Sequence, residues 1–333
     1  MKYLITGGAG FMGSNFIRFL LNKYPEYEVV NFDKLTYAGN LENLTDVDKD
    51  PRYRFIKGDI ADESAVEKAM TQGIDVIVNF AAETHVDRSI QGAKSFVLTD
   101  VLGTFTLLEA ANRHHIKLYV QISTDEVFGS IETGEFKPDS PFEPNSPYAA
   151  SKAGGDHMVR AYWKTYQLPA IVTHSCNFYG PYQYPEKLIP LALTNQIENK
   201  PVPVYGDGLN VREWIYTQDY CRALDVIIHQ GQAGEVYNVG SGQRKTNLEV
   251  IGSILQIMGR GQDSIQYVKD RPGHDRRYAV DASKLRALGW QPQFEFEQGL
   301  AATTEWYRTN KAWWRRLKDR DYQAYYRRQY DQT

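Results

Sequence analysis

The sequence has little cysteine, no long apolar run and no excess of positive charge, and each lack excludes a class of protein. Cys176 and Cys221 are the only two cysteines among 333 residues, so neither a disulfide framework nor a cysteine-rich zinc site can form. The apolar runs fall far short of the roughly 20 residues that span a bilayer. A net charge of −3 provides no global positive field for binding nucleic acid or an anionic membrane.

The remaining composition favours a folded enzyme-sized protein. Hydrophobic residues make up 42% of the chain, enough for a large core and for two lobes that share one site. The first residues have the pattern of a strand rather than of a secretory signal, so we expect a cytoplasmic location. His114 and His115 end a predicted helix and the other histidines are scattered, so we expect no bound metal.

Short apolar runs alternate with helical patterns in the first half of the chain. The predicted strands cover 3–6, 29–33, 53–57, 76–80, 118–122 and 170–174. The predicted helices cover 11–24, 63–71, 90–115 and 148–166. This rhythm indicates βαβ units, and it predicts an α/β fold with a Rossmann-type, doubly wound parallel sheet.

The rhythm breaks after about residue 179, where glycine and proline interrupt a looser α+β segment. We expect a smaller C-terminal substrate lobe there. The strand-and-helix stretch 213–229 looks regular enough to return to the first sheet. The predicted division is therefore interleaved, with one domain of residues 1–180 plus about 212–240 and a second of 181–211 and 241–333.

A glycine-rich segment between the first predicted strand and helix has the spacing of a dinucleotide-binding turn. The glycines that fit this spacing are Gly7, Gly8, Gly10 and Gly13. Such a turn lets the backbone approach a pyrophosphate closely, and the helix N-terminus attracts the anion. Asp33 lies at the end of the second strand, where a carboxylate binds ribose hydroxyls and repels the 2′-phosphate of NADP. The pattern predicts bound NAD, although Lys34 is a cation that would suit a phosphate.

A Tyr-x-x-x-Lys pair stands at the start of a predicted helix. Ser146 is its expected N-cap and Pro147 its first residue. Tyr148 and Lys152 then lie one turn apart on the same face. A nearby ammonium and the positive end of a helix both favour a phenolate, so we expect a lowered pKa for Tyr148.

Two adjacent carboxylates follow the fifth predicted strand. Thr124, Asp125 and Glu126 lie just past its carboxyl end, where doubly wound sheets bind ligands. Close carboxylates push each other's pKa values apart, so one can act as an acid and the other as a base. The residues themselves leave open which is which.

In its motifs the chain resembles the extended short-chain dehydrogenase/reductases, and among them the dTDP-glucose 4,6-dehydratases, from end to end. The motifs cover 6–13, 33–40, 81–90, 123–129, 148–152, 177–181, 185–190 and 270–275. Related epimerases and decarboxylases usually lack the Asp125–Glu126 pair. One departure is Phe178, where many relatives have a second asparagine.

The resemblance implies a redox-neutral reaction with NAD. In it, Tyr148 takes the C4 hydroxyl proton, helped by Thr124, while hydride leaves C4. Glu126 then takes the C5 proton, Asp125 protonates the departing C6 hydroxyl, and the hydride returns to C6. The product is a 4-keto-6-deoxy sugar nucleotide, used for deoxysugar synthesis.

The resemblance also implies two sets of binding residues. The implied cofactor contacts are Gly7, Gly10, Phe11, Met12, Gly13, Asp33, Lys34, Leu35, Thr36, Asp59, Ile60, Ala81, Ala82, Thr99, Tyr148, Lys152 and Phe178. The implied sugar-nucleotide contacts are Thr84, Thr124, Asn177, Lys187, Leu188, Arg212, Asn247, Asp270, Arg271 and His274. Guanidinium groups match phosphate oxygens, so Arg212 and Arg271 are the expected diphosphate partners.

Two further segments have structural predictions. The long helix 90–115 carries apolar residues on more than one face, and the resemblance implies a homodimer formed by this helix and the one that begins at Pro147. The alternative is a thick intramolecular layer. The tail 305–333 is rich in tryptophan, tyrosine and arginine, and we expect an amphipathic helix packed on the small lobe rather than a nucleic-acid site.

Three other functions stay open at this point. One is dehydration of UDP-glucose, because the sequence has no readable motif for the base. Another is an NAD-dependent sugar-nucleotide 4-epimerase or decarboxylase. The third is a non-catalytic NAD sensor that binds a partner protein.

Overall fold

The structure is a computed structural model, and it describes residues 1–330. The strands are β1 (Lys2–Thr6), β2 (Glu28–Asp33), β3 (Tyr53–Lys57), β4 (Val76–Asn79), β5 (Leu118–Thr124), β6 (Ala170–Ser175), β7 (Asn177–Tyr179), β8 (Val202–Tyr205), β9 (Val211–Tyr216), β10 (Val236–Val239), β11 (Arg244–Thr246) and β12 (Ile265–Val268). The helices are α1 (Phe11–Lys23), α2 (Glu63–Met70), α3 (Val86–Gln91), α4 (Lys94–Phe96), α5 (Thr104–Arg113), α6 (Pro147–Tyr166), α7 (Leu188–Ile197), α8 (Thr217–Gln230), α9 (Asn247–Met258), α10 (Ser283–Arg286), α11 (Phe296–Thr309), α12 (Lys311–Leu317) and α13 (Arg320–Tyr330). None of the helices within these residues is both long and apolar enough to cross a bilayer.

Seven parallel strands form the main sheet, in the order β10-β6-β5-β4-β1-β2-β3. The strand order reverses between β1 and β4, which opens a crevice at their carboxyl ends. Apolar helix faces cover both sides of the sheet and form two separate cores. The predicted doubly wound parallel fold is confirmed.

Helix α6 begins as the sequence predicts. Its N-cap is Ser146, whose Oγ accepts a hydrogen bond from the Ala149 N–H at 3.1 Å. Pro147 is the first helical residue, where its missing N–H costs no hydrogen bond. The cap fixes where the first turn starts, and so it orients Tyr148 and Lys152.

The prediction of one helix over 90–115 is wrong. Helix α3 ends at Gln91, Gly92 is extended, and α4 leads into a π-helical turn at Val97–Gly103 before α5. The physical reason is close packing of this turn on its neighbours: a Cβ at Gly103 would lie 2.5 Å from the Ile60 side chain. Apolar periodicity does not reveal such a local widening of the helix.

The smaller lobe contains a three-stranded sheet, β11-β9-β7, and a two-stranded sheet, β12-β8, packed with α7, α9 and α11 around one core. The expectation that strand and helix 213–229 both return to the main sheet is wrong for the strand. Strand β9 pairs with β7 and β11, whereas α8 packs in a core under the main sheet and β10 joins the edge of that sheet. We propose an interleaved division in which α8 and β10, but not β9, belong with residues 1–180.

The C-terminal tail is helical and packs its aromatic residues inward. It forms three helices, α11 to α13, rather than a single one. Trp314, Tyr322 and Tyr325 are buried, which confirms the predicted packing, and residues 331–333 of the prediction lie outside the described residues. Tyr322 donates a hydrogen bond to the Pro185 carbonyl at 3.0 Å, so the tail reaches the loop before α7.

Candidate active site

A cavity of about 320 Å³ lies at the carboxyl ends of the main-sheet strands. Its lining contains every implied cofactor residue except Leu35. It also contains the five implied catalytic residues, Thr124, Asp125, Glu126, Tyr148 and Lys152. The sequence motifs therefore converge on one cleft at the topological switch point of the sheet.

The glycine-rich turn forms a cradle that side chains would fill. Gly7 has a φ of +64°, and a Cβ there would lie 2.7 Å from the Ala81 nitrogen. A Cβ at Gly13 would lie 2.5 Å from the Gly7 carbonyl oxygen. Helix α1 has Gly10 as its N-cap, which has no side chain to cap the first N–H groups, so these groups can bind an anion. These residues fit the pyrophosphate of a dinucleotide.

Asp33 is anchored at the end of β2 by backbone donors. Its carboxylate accepts hydrogen bonds from the Ala9 N–H at 2.9 Å and the Leu35 N–H at 2.7 Å. Leu35, which does not line the cavity, thus supports Asp33 through its backbone. Lys34 forms an ion pair with Asp59 at 2.6 Å, so its charge is already matched by a carboxylate. This pairing weakens the argument for a 2′-phosphate.

A second cavity of about 150 Å³ adjoins the first. Both cavities are lined by Glu126, Asn177, Glu186, Lys187, Leu188 and Trp214. The second also contains the implied substrate residues Arg212, Asn247, Arg271 and His274, while Thr84 lines the first cavity only. Asp270 lines neither; it accepts hydrogen bonds from His274 Nδ1 at 2.6 Å and the Arg271 N–H at 2.9 Å. Asp270 therefore helps to fix the positions of Arg271 and His274, which line the second cavity.

The expected lowering of the Tyr148 pKa is wrong for the protein alone. Burial raises the pKa of Tyr148 well above its usual value, and the charges of Glu126 and Asp100 raise it further. The Lys152 Nζ donates a hydrogen bond to the Ile122 carbonyl at 2.7 Å. The Thr124 hydroxyl favours the phenolate, but its effect is smaller.

Asp125 and Glu126 have different surroundings, which the sequence could not show. Burial raises the pKa of Asp125 well above its usual value, and the charges of Glu126 and Glu213 raise it further. Only 2% of Asp125 is exposed, and its Oδ2 has no hydrogen-bond partner within the described residues. Asp125 is therefore the carboxyl group that favours the protonated form.

Glu126 faces cations. Burial raises the pKa of Glu126, but the charges of Arg271, Arg212 and Lys187 lower it. The rise is smaller than for Asp125 because these cations stabilise the carboxylate. Glu126 is thus the better candidate for a base, and Asp125 for an acid.

Three cationic side chains surround the second cavity. The Arg212 guanidinium donates to the Asp275 carbonyl at 2.9 Å and lies 4.1 Å from the Tyr278 ring centroid. Arg271 pairs with Asp87 at 3.3 Å, and its buried Nε has no partner within residues 1–330. The third cation is Lys187, whose Nζ donates to the Thr84 carbonyl at 2.5 Å. This cluster can hold a diphosphate.

Sequence reasoning missed Glu186, a buried carboxylate shared by both cavities. It accepts a hydrogen bond from the Tyr37 hydroxyl at 2.7 Å and pairs with Arg88 at 3.1 Å. The Arg88 guanidinium lies between the Tyr37 and Tyr325 rings, 4.0 and 4.7 Å from their centroids. The sequence did contain a signal for Glu186, since it is a charged residue inside the 185–190 motif.

The implied cofactor residue Phe178 packs on Tyr220, with ring centroids 4.4 Å apart. It therefore presents an apolar wall to the cofactor cavity, with no polar group where many relatives have asparagine. Within residues 1–330 there is no group of three His, Cys, Asp or Glu side chains placed to hold a metal ion.

Comparisons with known proteins agree with this geometry. The family model described as GDP-mannose 4,6 dehydratase matches residues 4–303. The dTDP-glucose 4,6-dehydratase of Streptomyces niveus is 50% identical over 96% of this chain and 97% of that protein. The low-salt glycan biosynthesis protein Agl12 of Haloferax volcanii is 52% identical over 92% of this chain and 98% of its own.

A solved structure shows the same fold. The crystal structure of DesIV, a dTDP-glucose 4,6-dehydratase from Streptomyces venezuelae with NAD and TYD bound, has a TM-score of 0.93 and 52% identity. The match covers 96% of this chain and 100% of DesIV. The resemblance seen in the motifs is confirmed: the chain belongs to the family that the GDP-mannose 4,6 dehydratase model describes, and within it to the dTDP-glucose 4,6-dehydratases.

Proposed function

We propose that this protein is an NAD-dependent dTDP-glucose 4,6-dehydratase, a carbon–oxygen lyase that forms dTDP-4-keto-6-deoxyglucose and water. The observation that carries the proposal is the contrast between Asp125, buried among carboxylates, and Glu126, which faces three cations. Elimination of water needs an acid and a base, and hydride transfer alone needs neither of them. Relatives that carry this activity in their names match over nearly the full chain.

The cofactor is NAD, held by the glycine cradle, Asp33 and Lys152. When bound, it supplies a hydride acceptor that gives the hydride back. The reaction returns the cofactor to its starting state, so retention of NAD through many turnovers is chemically sensible. DesIV was crystallised with NAD, which supports the assignment.

The first half of the reaction is oxidation at C4. The Tyr148 phenolate accepts the C4 hydroxyl proton as hydride leaves C4, and Thr124 orients the same hydroxyl. Burial opposes the phenolate, so the reacting form of Tyr148 must be stabilised in the loaded site, where Lys152 and the start of α6 contribute. The resulting ketone acidifies the proton at C5.

The second half is elimination and reduction. Glu126 takes the C5 proton, and the C6 hydroxyl leaves as water with the proton of Asp125. The hydride then adds to C6, and Glu126 returns its proton to C5. The proton that Tyr148 accepted replaces the one that Asp125 gave, so the enzyme ends as it began.

The diphosphate lies in the second cavity, near Arg212, Arg271 and Lys187. The Arg271 Nε, which has no hydrogen-bond partner within residues 1–330, and the remaining N–H groups of the Lys187 ammonium leave donors for phosphate oxygens. The sugar then extends toward the first cavity, past the shared residues Asn177 and Glu126.

We also propose a homodimer. Val97, Leu98 and Leu102 of the π-helical turn are 52%, 43% and 42% exposed, and Tyr166 at the end of α6 is 54% exposed. Exposed apolar side chains on both of these elements are what an interface between two copies would cover. Leu98→Glu should convert a dimer to a monomer in light scattering, while Tyr267→Glu, at an exposed tyrosine elsewhere, should not.

A cytoplasmic location is part of the proposal. Both cysteines, Cys176 and Cys221, are buried and unpaired, as suits a reducing compartment. Cell fractionation with an antibody to the protein tests this: recovery with the soluble cytoplasmic fraction is expected, and recovery with secreted material would contradict it.

Mass spectrometry of the purified protein incubated with dTDP-glucose or UDP-glucose, without added NAD, tests the function. Loss of one water from the dTDP sugar without accumulated NADH is the expected result. Tyr148→Phe should abolish it, and Tyr166→Phe, on the same helix but exposed, should not. Dehydration of the UDP sugar instead would change the nucleotide assignment alone. Proton NMR of the same mixtures would show a C4 epimer, which has the mass of the substrate and would favour an epimerase. Release of carbon dioxide from a separate incubation with UDP-glucuronate would favour a decarboxylase, and no turnover of any of these sugar nucleotides would favour an NAD sensor.

A further inference from the structure

Asp100 is a buried carboxyl group that the reaction described above does not use. It lies in the π-helical turn Val97–Gly103 and is 1% exposed. Its Oδ2 accepts a hydrogen bond from the Ser151 hydroxyl at 2.6 Å. Its Oδ1 is buried and meets no hydrogen-bond partner at full hydrogen-bonding geometry within the described part of the chain, although the Glu83 backbone N–H lies close enough to favour the carboxylate. A buried carboxyl group with so few donors is costly and calls for an explanation.

The π-helical turn packs closely against α6 at Asp100. The contact is made at two consecutive glycines of α6. A Cβ at Gly155 would lie 2.6 Å from the Asp100 carbonyl oxygen, and one at Gly154 would lie 2.9 Å from the Val101 side chain. The contact at Gly155 is with backbone, so the two segments can approach this closely only with glycine there. Ser151, the residue that holds the carboxyl group, lies between Tyr148 and Lys152 in the sequence of α6.

Three ionisable groups face Asp100 from the elements packed against it. Tyr148 and Lys152 face it from α6, and Glu83 faces it from the loop after β4. Burial raises the pKa of Asp100 to about 6, and the charge of Lys152 opposes the rise. At neutral pH the carboxylate thus attracts the Lys152 ammonium and repels a phenolate at Tyr148.

We propose that Asp100, held against α6 by the Ser151 hydroxyl, is a positioning residue whose charge sets the pH at which Tyr148 becomes a base. Its negative charge penalises loss of the tyrosine proton until substrate and cofactor offset that charge. The inference rests on the proposed role of Tyr148 in C4 oxidation. An asparagine would fill the same space and still accept the Ser151 hydrogen bond, so only the charge distinguishes the two residues.

The test is the pH dependence of the first hydride transfer. It is followed as transient NADH absorbance in single turnovers of the NAD-loaded enzyme with dTDP-glucose. Asp100→Asn should move the rising limb of this rate to lower pH by about one unit, which is up to about tenfold faster transfer below the wild-type midpoint. Ser151→Ala removes a hydroxyl that favours the carboxylate, so it should move the limb in the same direction by a smaller amount, while Asp139→Asn at the surface should leave the limb at its wild-type position.

A purely structural role predicts a different result. Asp100→Asn would then change the rate by the same factor at every pH, and an unmoved limb would overturn the inference. If Asp100→Asn does not fold, Asp100→Ser removes the same charge and must show the same shift. Wild-type enzyme that removes no water from any sugar nucleotide would instead refute the proposed function, so the two failures are distinguishable.

Discussion

Asp125→Asn tests the assignment of the acid. The amide fills the same buried space and can donate a hydrogen bond, but it cannot transfer a proton to a leaving hydroxyl. Because Asp125 is 2% exposed, water cannot readily replace it as the proton donor. General acid catalysis contributes about 10²–10⁴-fold, so we expect dehydration to slow by that factor.

The same substitution should leave C4 oxidation largely intact. Tyr148 and Thr124 are unchanged, and loss of the negative charge of any ionised Asp125 lowers rather than raises the Tyr148 pKa. The oxidised intermediate should therefore accumulate with enzyme-bound NADH. Stopped-flow absorbance follows the NADH, and quenched-flow mass spectrometry follows the loss of water.

Asp139→Asn, on an exposed loop, is the matched control and should behave as wild type. If Asp125→Asn dehydrates the substrate at the wild-type rate, Asp125 is not the general acid. A loss of NADH formation equal to the loss of dehydration would also contradict it, because it would assign Asp125 to the first step.

Four other substitutions have distinct expected outcomes. Glu126→Gln should abolish exchange of the C5 proton with deuterated solvent, measured by mass spectrometry, and retention of exchange would assign the base elsewhere. Arg212→Lys should raise KM about tenfold with a smaller effect on kcat, since lysine lacks the planar fork, while Arg276→Lys at the surface should change neither. Gly7→Ala should release NAD during purification, whereas Gly73→Ala, which shares the positive φ but meets no neighbour, should cost only stability. Asp100→Asn should raise Tm more at pH 8 than at pH 4: the folded pKa is raised from 3.8 to about 6, so the charged group costs about 3 kcal/mol above that window and only about 0.5 kcal/mol at pH 4.

Much of the fold was predictable because its signals are local. Strand β3 has the bounds that its apolar alternation predicts, and the Ser146–Pro147 pair marks the start of α6. The glycine turn was predictable for the same reason, since a few adjacent residues determine its conformation. Nearly all of the residues that the family resemblance implied then line one of the two cavities, with Leu35 and Asp270 as the exceptions.

The features that escaped prediction depend on contacts distant in sequence. The π-helical turn packs against Gly154 and Gly155 of α6, which lie outside 90–115. The apolar periodicity of 90–115 therefore does not indicate that packing. Strand β9 pairs with β7 and β11 across long connections, so its local pattern could not assign it to a sheet. The pKa of Tyr148 is raised first by burial and then by the charge of Glu126, and both depend on contacts that the helical pattern of α6 does not contain.

The measurement that most directly tests the central claim is the fate of a label at C4. The purified enzyme converts dTDP-glucose carrying deuterium at C4, and mass spectrometry with NMR locates the deuterium in the product. The account predicts that one water is lost and that the deuterium is found at C6, because the hydride removed from C4 returns there. Deuterium that stays at C4, or is found at an inverted C4 with no loss of water, would contradict it.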